Sequence, residues 1–554
     1  MRRIIDQPAL ACSLPDGVRQ SRNRVASRRA DLRLGGWEDW LLLSASLALS
    51  LAGGYVLTSR LGLFPPDAQW YTVQAWSLLT GDVSRLSMFH TPMPPFPTVL
   101  QAPLLLVPAL RYEGLAAGIL SALAGALLCV LLNRMLNRWS MPRLLRYPIL
   151  LLFALNPIVL FNGGNGSSEM LAALLILLSL QLVSNWYEAE NLQSLIQLGF
   201  TLGLLSLTRY EALPYVLLLP LLLLFAPSSR KDQTGERAFG VLATCFVPAV
   251  STLGLGALVG LMVESSPQYW VEGERTAPLQ LPQLLSDLAA FSPLPQAVSP
   301  QNGSILEGVP ALGMSPLFAL CVALLLLISW RRMDRLSASL IVATAFFPML
   351  YWFAPTLGGA EPPLRGLFLT TVLGVALGGR LYQQARAFEP AKGPLALMVG
   401  LALLSASALS TGTTASAMAN APASGNSSAP FVEGLLSANS IASPWQEERS
   451  VAGYIQSRDG ASSVLVDDFE GYRVLFFSAR PELFVTRGTP AFPVTLKAPS
   501  GRVDHLLVRD PQLEGVHDLV ASRYPALYAL GGSGAELVGD WPGAGWRLYR
   551  LGSE

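Results

Sequence analysis

Between Trp37 and about Leu409 the chain is a succession of apolar runs, and most are long enough to cross a bilayer, which takes about 20 apolar residues as a helix. Backbone placed in hydrocarbon must satisfy its own N–H and C=O groups, so only helices and closed barrels span membranes. Barrel strands would alternate apolar and polar residues. These runs are apolar all round. The expected fold class is mainly α, a polytopic transmembrane helical bundle. Candidate spans are 37–59, 113–132, 144–162, 168–185, 192–208, 210–226, 238–262, 311–330, 336–356, 366–383 and 393–412. Segment 98–110 is apolar but short, as in a re-entrant or juxtamembrane helix.

Charge arbitrates the topology. Residues 1–36 form a basic arm with Arg2, Arg3, Arg19, Arg22, Arg24, Arg28, Arg29 and Arg33 against Asp6, Asp16 and Asp31. No apolar core of a cleavable signal precedes Trp37, so the arm is expected to hold the N-terminus in the cytoplasm. If 98–110 does not cross, the clusters Arg134–Arg146, Arg230–Arg237, Arg331–Arg335 and Arg380–Lys392 all fall inside as well. That gives about eleven crossings and an extracytoplasmic C-terminus. The expected location is a plasma membrane, bacterial in type, since no organellar address is present.

This topology gathers polar residues on one side. Asp67, Asp82, His90, Glu169, Arg209, Glu211, Glu361 and Arg365 come from separate spans, yet all land at the outer face. The first outer loop covers 60–97 and the longest covers 263–310, a length typical of lids or disordered segments. Residues 413–444, rich in Ala, Ser, Gly and Asn, read as a flexible linker. Residues 445–554 read as a small soluble α/β domain, with helices at 447–458 and 516–523 and strands at 463–467, 505–508 and 546–550. Asp467-Asp468 at a strand end is either a ligand site or the start of a turn. The formal net charge of +1 gives no case for nucleic acid. Of four cysteines, three lie in apolar spans and none in the C-terminal region, so neither a disulfide framework nor a zinc cluster is implied.

Asp67 follows two prolines and opens a helical run. There it can cap the helix or act as a general base toward an acceptor hydroxyl, and the two roles are compatible. His90 and Glu169 are readable as metal ligands or gate residues, against a structural loop histidine and a carboxylate at a helix N-terminus. Arg209-Tyr210-Glu211 lies between two apolar runs. It is either an interfacial turn or a polar site at membrane depth, where ionisable groups cost about 2.5–3.5 kcal/mol. Arginine's planar fork suits a phosphate, and Arg365 has the same placement as Arg209. Asn165-Gly166-Ser167, Asn302-Gly303-Ser304 and Asn426-Ser427-Ser428 match the glycosylation sequon, a short pattern of little weight.

The order of these features carries a resemblance. A basic N-terminus and one span are followed by Pro-Asp-x-x-Trp-Tyr-x-x-x-Ala-x-x-Leu-Leu-x-Gly-Asp from Pro66 to Asp82. A Pro-Pro-Phe-Pro turn (Pro94–Pro97) and a short apolar helix come next. With Asn165–Met170 and Leu-Thr-Arg-Tyr-Glu-Ala, the pattern resembles the GT-C class of membrane glycosyltransferases, in the branch of protein O-mannosyltransferases and aminoarabinose transferases. The likeness covers about residues 37–412. It implies transfer of a sugar, with inversion, from a polyprenyl-phosphate donor to a hydroxyl of a lipid, polysaccharide or protein acceptor at the outer face. By the same resemblance Asp67 matches the family's catalytic base, Arg209 or Arg365 would steady the departing phosphate, and His90, Glu169, Tyr210 and Glu211 would be polar residues of the substrate site. Many relatives carry two adjacent acidic residues in this loop, where this chain has Asp67-Ala68-Gln69, and a charged residue where it has Met93. A divalent metal therefore stays open, and no other cofactor is implied. The competing reading is a transporter or lipid flippase, which would show internal repeats and mid-bilayer charge. A non-catalytic scaffold would leave the outer-face charges without a role.

Overall fold

The computed structural model describes residues 36–80, 94–110, 114–209, 212–224, 234–264, 315–329, 335–353, 362–388, 394–420, 428–436, 445–457, 463–487, 489, 491–513, 518–531 and 534–552. The basic arm to residue 35, most of the loop 263–310, and Asp82, His90, Tyr210, Glu211 and Glu361 lie outside them.

The membrane part is a helical bundle, as its apolar runs require. Its helices are α1 (Trp37–Tyr55, continued by one π turn, Val56–Arg60), α2 (Pro66–Thr80), α3 (Pro95–Leu105), α4 (Leu115–Arg138), α5 (Arg143–Ala154), α6 (Pro157–Gly164) and α7 (Glu169–Ala189). There follow α8 (Leu192–Ser206), α9 (Leu213–Leu223), α10 (Thr234–Glu264), α11 (Pro316–Ser329), α12 (Arg335–Phe353), α13 (Pro362–Phe388), α14 (Pro394–Ala419) and α15 (Ser428–Leu436). Every expected span falls on one of these helices or on the α5–α6 pair. By length and apolarity five described helices can cross a membrane, or six if the pair counts as one span, and shorter apolar helices join them. The pair is bent by 61°. The break is at Asn156-Pro157, where Asn156 caps α6 by accepting from Ile158 N at 3.1 Å and from Thr414 Oγ1 at 2.9 Å. The residue before a proline is pushed out of the helical region, so α5 ends there. The short helix α3 has 11 residues, about 16 Å at 1.5 Å each, well under a bilayer core.

Helix α13 lies in the middle of the bundle, against α4, α11, α12 and α14. Helix α1 lies at the edge and exposes Trp37, Trp40, Leu41 and Tyr55, as suits a lipid-facing surface with interfacial tryptophans. Small residues bring backbones together. A Cβ on Gly164 would stand 2.2 Å from the backbone N of Gly54, so α1 and α6 touch main chain to main chain. At the start of α1, Asp39 pairs with Arg134 at 2.9 Å and Glu38 binds Arg143 and Arg146. This charged end of the bundle is opposite the end where α1 stops and α2 begins.

Residues 413–419, read as linker, instead complete α14, and residues 428–436 form α15. Thr414 explains the difference, since its hydroxyl is buried on Asn156 and so ties that stretch into the bundle. The C-terminal region is an α/β domain with α16 (Gln446–Gln456), β1 (Val464–Leu465), α17 (Asp468–Ser478), β2 (Phe484–Val485), α18 (Phe492–Lys497), β3 (His505–Arg509), α19 (Leu519–Arg523), α20 (Pro525–Leu530), β4 (Ala535–Trp541) and β5 (Trp546–Leu551). The sheet order is β2-β1-β3-β5-β4, parallel on the first side and antiparallel on the other.

Asp467 is the N-cap of α17 and accepts from Phe469 N at 3.1 Å, from Leu519 N at 2.7 Å and from the Arg487 guanidinium. Asp468, beside it, is buried, and its Oδ1 has no hydrogen-bond partner among the described residues. Burial and the Asp467 charge push its carboxyl up to about 7, and burial does the same for Asp518. Each then holds its proton in the folded domain where the unfolded chain, titrating near 3.9, has lost it. Between about pH 4 and 7 the folded state binds more protons, so stability falls as pH rises. The expected result is that Asp468→Asn flattens that fall, measured as melting temperature of the detergent-solubilised protein across pH 4–7.5.

Candidate active site

Four residues singled out in the sequence meet here, each from a different element. Asp67 is the second residue of α2, Glu169 the first of α7 and Arg365 the fourth of α13, while Arg209 follows the end of α8. Glu169 Oε1 accepts from Arg209 Nη1 at 2.8 Å and lies 3.2 Å from Arg365 Nε. Arg365 Nη2 is 3.7 Å from Asp67 Oδ2. Side-chain exposure runs from 10% at Arg209 and 12% at Glu169 to 17% at Asp67 and 29% at Arg365. The bundle-side pair is thus nearly closed to solvent, and Asp67 and Arg365 are its open edge. The Ser168 hydroxyl sits 3.4 Å from both Tyr71 Oη and Arg209 Nη1.

Local chemistry explains each placement. Asp67 and Glu169 both open helices, where the positive end of the helix dipole favours a carboxylate. Asn165 Oδ1 accepts from Ser167 N at 2.9 Å and from Ser167 Oγ at 2.7 Å, and Ser121 Oγ donates to Ser167 O at 3.1 Å. This turn delivers Glu169 to the head of α7. It also buries Asn165, the first residue of a candidate glycosylation sequon. Gly166 takes φ +78° within it, and a Cβ there would lie 2.7 Å from Ala117 Cβ and 3.1 Å from Ala68 Cβ. Gly166→Ala therefore strains the backbone and presses on the neighbour of Asp67. The expected cost is about 1–3 kcal/mol, read as a lower melting temperature together with reduced turnover. On the other side, Phe96 N donates to Leu207 O at 2.9 Å, which fixes the chain just before Arg209 to the head of α3. Thr72 Oγ1 reaches Gln101 Oε1 at 3.2 Å and joins α2 to α3.

Glu169, read as a metal ligand or gate residue, anchors two guanidinium groups. Among the described residues no group of three His, Cys, Asp or Glu side chains could hold a metal ion. His90, Tyr210 and Glu211 lie outside those residues. Sequence reasoning passed over Tyr71 and Ser168, although both stand in the quoted motifs. It also missed α17, which packs on α2 and places Phe469 and Tyr472 against Trp70.

The chain superposes on the crystal structure of ArnT from Cupriavidus metallidurans in the apo state with a TM-score of 0.50 at 12% identity, over 92% of this chain and 97% of that one. The chain carries the GT-C fold. An oligosaccharyltransferase from Archaeoglobus fulgidus, tethered with an acceptor peptide, matches with a TM-score of 0.45 at 11% identity, over 85% of this chain and 69% of that one. No protein-family model and no curated protein matches the chain.

Proposed function

We propose that the protein is a membrane glycosyltransferase that moves a sugar from a polyprenyl-phosphate donor to an acceptor hydroxyl at the outer membrane face, with inversion at the anomeric carbon. The observation that carries this reading is the shared ion network of Asp67, Glu169, Arg209 and Arg365 at one end of the bundle. It sets a carboxylate beside two guanidinium groups that are already oriented. Asp67 takes the proton of the acceptor hydroxyl as its oxygen bonds to the anomeric carbon. The bond from that carbon to the phosphate oxygen breaks, and its electron pair stays on the phosphate. The transition state is oxocarbenium-like, as in glycoside hydrolysis. Charge building on the leaving phosphate is met by Arg209 and Arg365, whose orientation by Glu169 requires no rearrangement at that moment.

The 3.7 Å contact between Arg365 and Asp67 adds a sequence of events. A donor phosphate seated on Arg365 competes with Asp67 for the guanidinium and loosens that contact before the acceptor arrives. Donor binding would thus prepare the base. The orientation that suits this chemistry is the one implied by the basic clusters, with the N-terminus cytoplasmic and the α/β domain outside. The test is glycosyl transfer by the purified full chain from a panel of radiolabelled polyprenyl-phosphate sugars, wild type beside Asp67→Asn. Label should reach an acceptor with wild type alone. If no donor in the panel is consumed while labelled lipid crosses proteoliposome membranes, the protein is a transporter and the proposal is wrong.

A further inference from the structure

We infer that the C-terminal domain is a positioning part of the active site: α17 clamps Trp70, and through Trp70 it fixes where α2 presents Asp67. The inference rests on the reading of Asp67 as the base. Trp70 lies three residues beyond Asp67 in α2, on the same side of the helix. Its ring is 5% exposed and makes edge contacts with Phe469 at 6.2 Å and Tyr472 at 5.7 Å between centroids. Edge-to-face packing is the favoured arrangement of aromatic pairs and is directional, so it fixes the rotation of α2 as well as its distance.

A second contact lies on the other side of Asp67. Phe64, just before α2, meets Phe476 at 5.3 Å and Phe477 at 6.0 Å, and the Arg449 guanidinium stacks over Phe64 and Phe477. Phe64 and Val73 share one hydrophobic core with Val451, Val466, Val474 and Leu507 of the C-terminal domain. Gln69 Nε2 donates to Phe64 O at 2.9 Å and locks this second contact to the helix. Asp67 is thus bracketed at positions 64 and 70 by one domain, while Tyr71, through Ser168, faces the bundle. The phenol of Tyr472 is pushed up mainly by burial, with the Asp67 charge also raising it and Arg473 lowering it. The Trp70 indole N–H finds no hydrogen-bond partner among the described residues, so the ring itself makes the clamp.

A misplacement of about 1 Å in a reacting group can cost about 100-fold in rate. The test uses the full chain and a donor that wild type consumes. Trp70→Ala should lower kcat by about 100-fold and leave KM for the donor within about twofold, the signature of an interaction that matters only in the transition state. Trp70→Phe should recover most of the loss. The double variant Phe469→Leu, Tyr472→Leu should lower kcat similarly, and adding Trp70→Ala should cost little more, because the three rings act as one unit. Should Trp70→Ala fail to fold, the double variant, which leaves α2 unchanged, decides the question, and Tyr472→Leu alone serves if that fails too. Wild-type kcat in these variants, with Asp67→Asn inactive beside them, would overturn the clamp and leave the base assignment standing. So would a Trp70→Phe protein as poor as Trp70→Ala, since the indole N–H would then touch substrate. Full activity of Asp67→Asn would instead overturn the base and the positioning role together.

Discussion

Asp67→Asn is expected to lower kcat by about 10²–10⁴-fold, the usual range for loss of a general base, with donor KM unchanged or lower. Asparagine has nearly the same shape and cannot take the acceptor's proton. It also carries no charge, so it gives up its 3.7 Å ion pair with Arg365. The guanidinium is then more available to a donor phosphate. Loss of turnover with retained donor affinity is therefore the outcome that separates a base from a residue that only supports the fold. Steady-state kinetics on the monodisperse variant measures both. A rise in donor KM with unchanged kcat would place Asp67 in ground-state binding instead.

The second large effect is expected at Glu169. Its Oε1 serves both arginines, and its side chain and that of Arg209 are nearly closed to solvent. Glu169→Ala removes the carboxylate that the buried Arg209 guanidinium shares with Arg365. Removing one partner of a buried pair costs about 3–5 kcal/mol, seen as a large drop in melting temperature. The cost should shrink when inorganic pyrophosphate or a polyprenyl phosphate is added, because either can replace the missing anion. Arg209→Gln tests the same contact from the other end. It should be milder for stability, because Arg365 still faces Glu169, but should raise donor KM.

Much of this site was legible before any coordinate. The apolar runs marked the helices of the bundle, and the basic clusters led to the expectation that segment 98–110 stays on one side. That alone put Asp67, Glu169, Arg209 and Arg365 at a common face. What topology cannot give is which partners touch. The shared use of Glu169 by two arginines depends on helix rotation, and hydropathy says nothing about rotation for helices that are apolar all round. Helix α17 was missed for a related reason. Its segment Val474-Leu475-Phe476-Phe477 has no 3.6-residue period, because α17 is buried both against its own sheet and against α2. An apolar run of that length fits a buried strand or a buried helix equally well. The linker reading failed at 413–419 on Thr414, whose polar side chain looks solvent-seeking until its buried partner Asn156 is known.

The core shared by Phe64, Val73 and the C-terminal domain has a bearing on biosynthesis. Phe64 and Phe476 are about 400 residues apart in the chain, and contacts between distant segments form late because the loop between them must close first. A ribosome makes the Phe64–Val73 segment early, but the side chains that bury it exist only after the C-terminal domain has been made and has folded. On the proposed reading of Asp67, a chain ended before the C-terminal domain is expected to insert but to show no turnover, measured as glycosyl transfer by a variant truncated after residue 444.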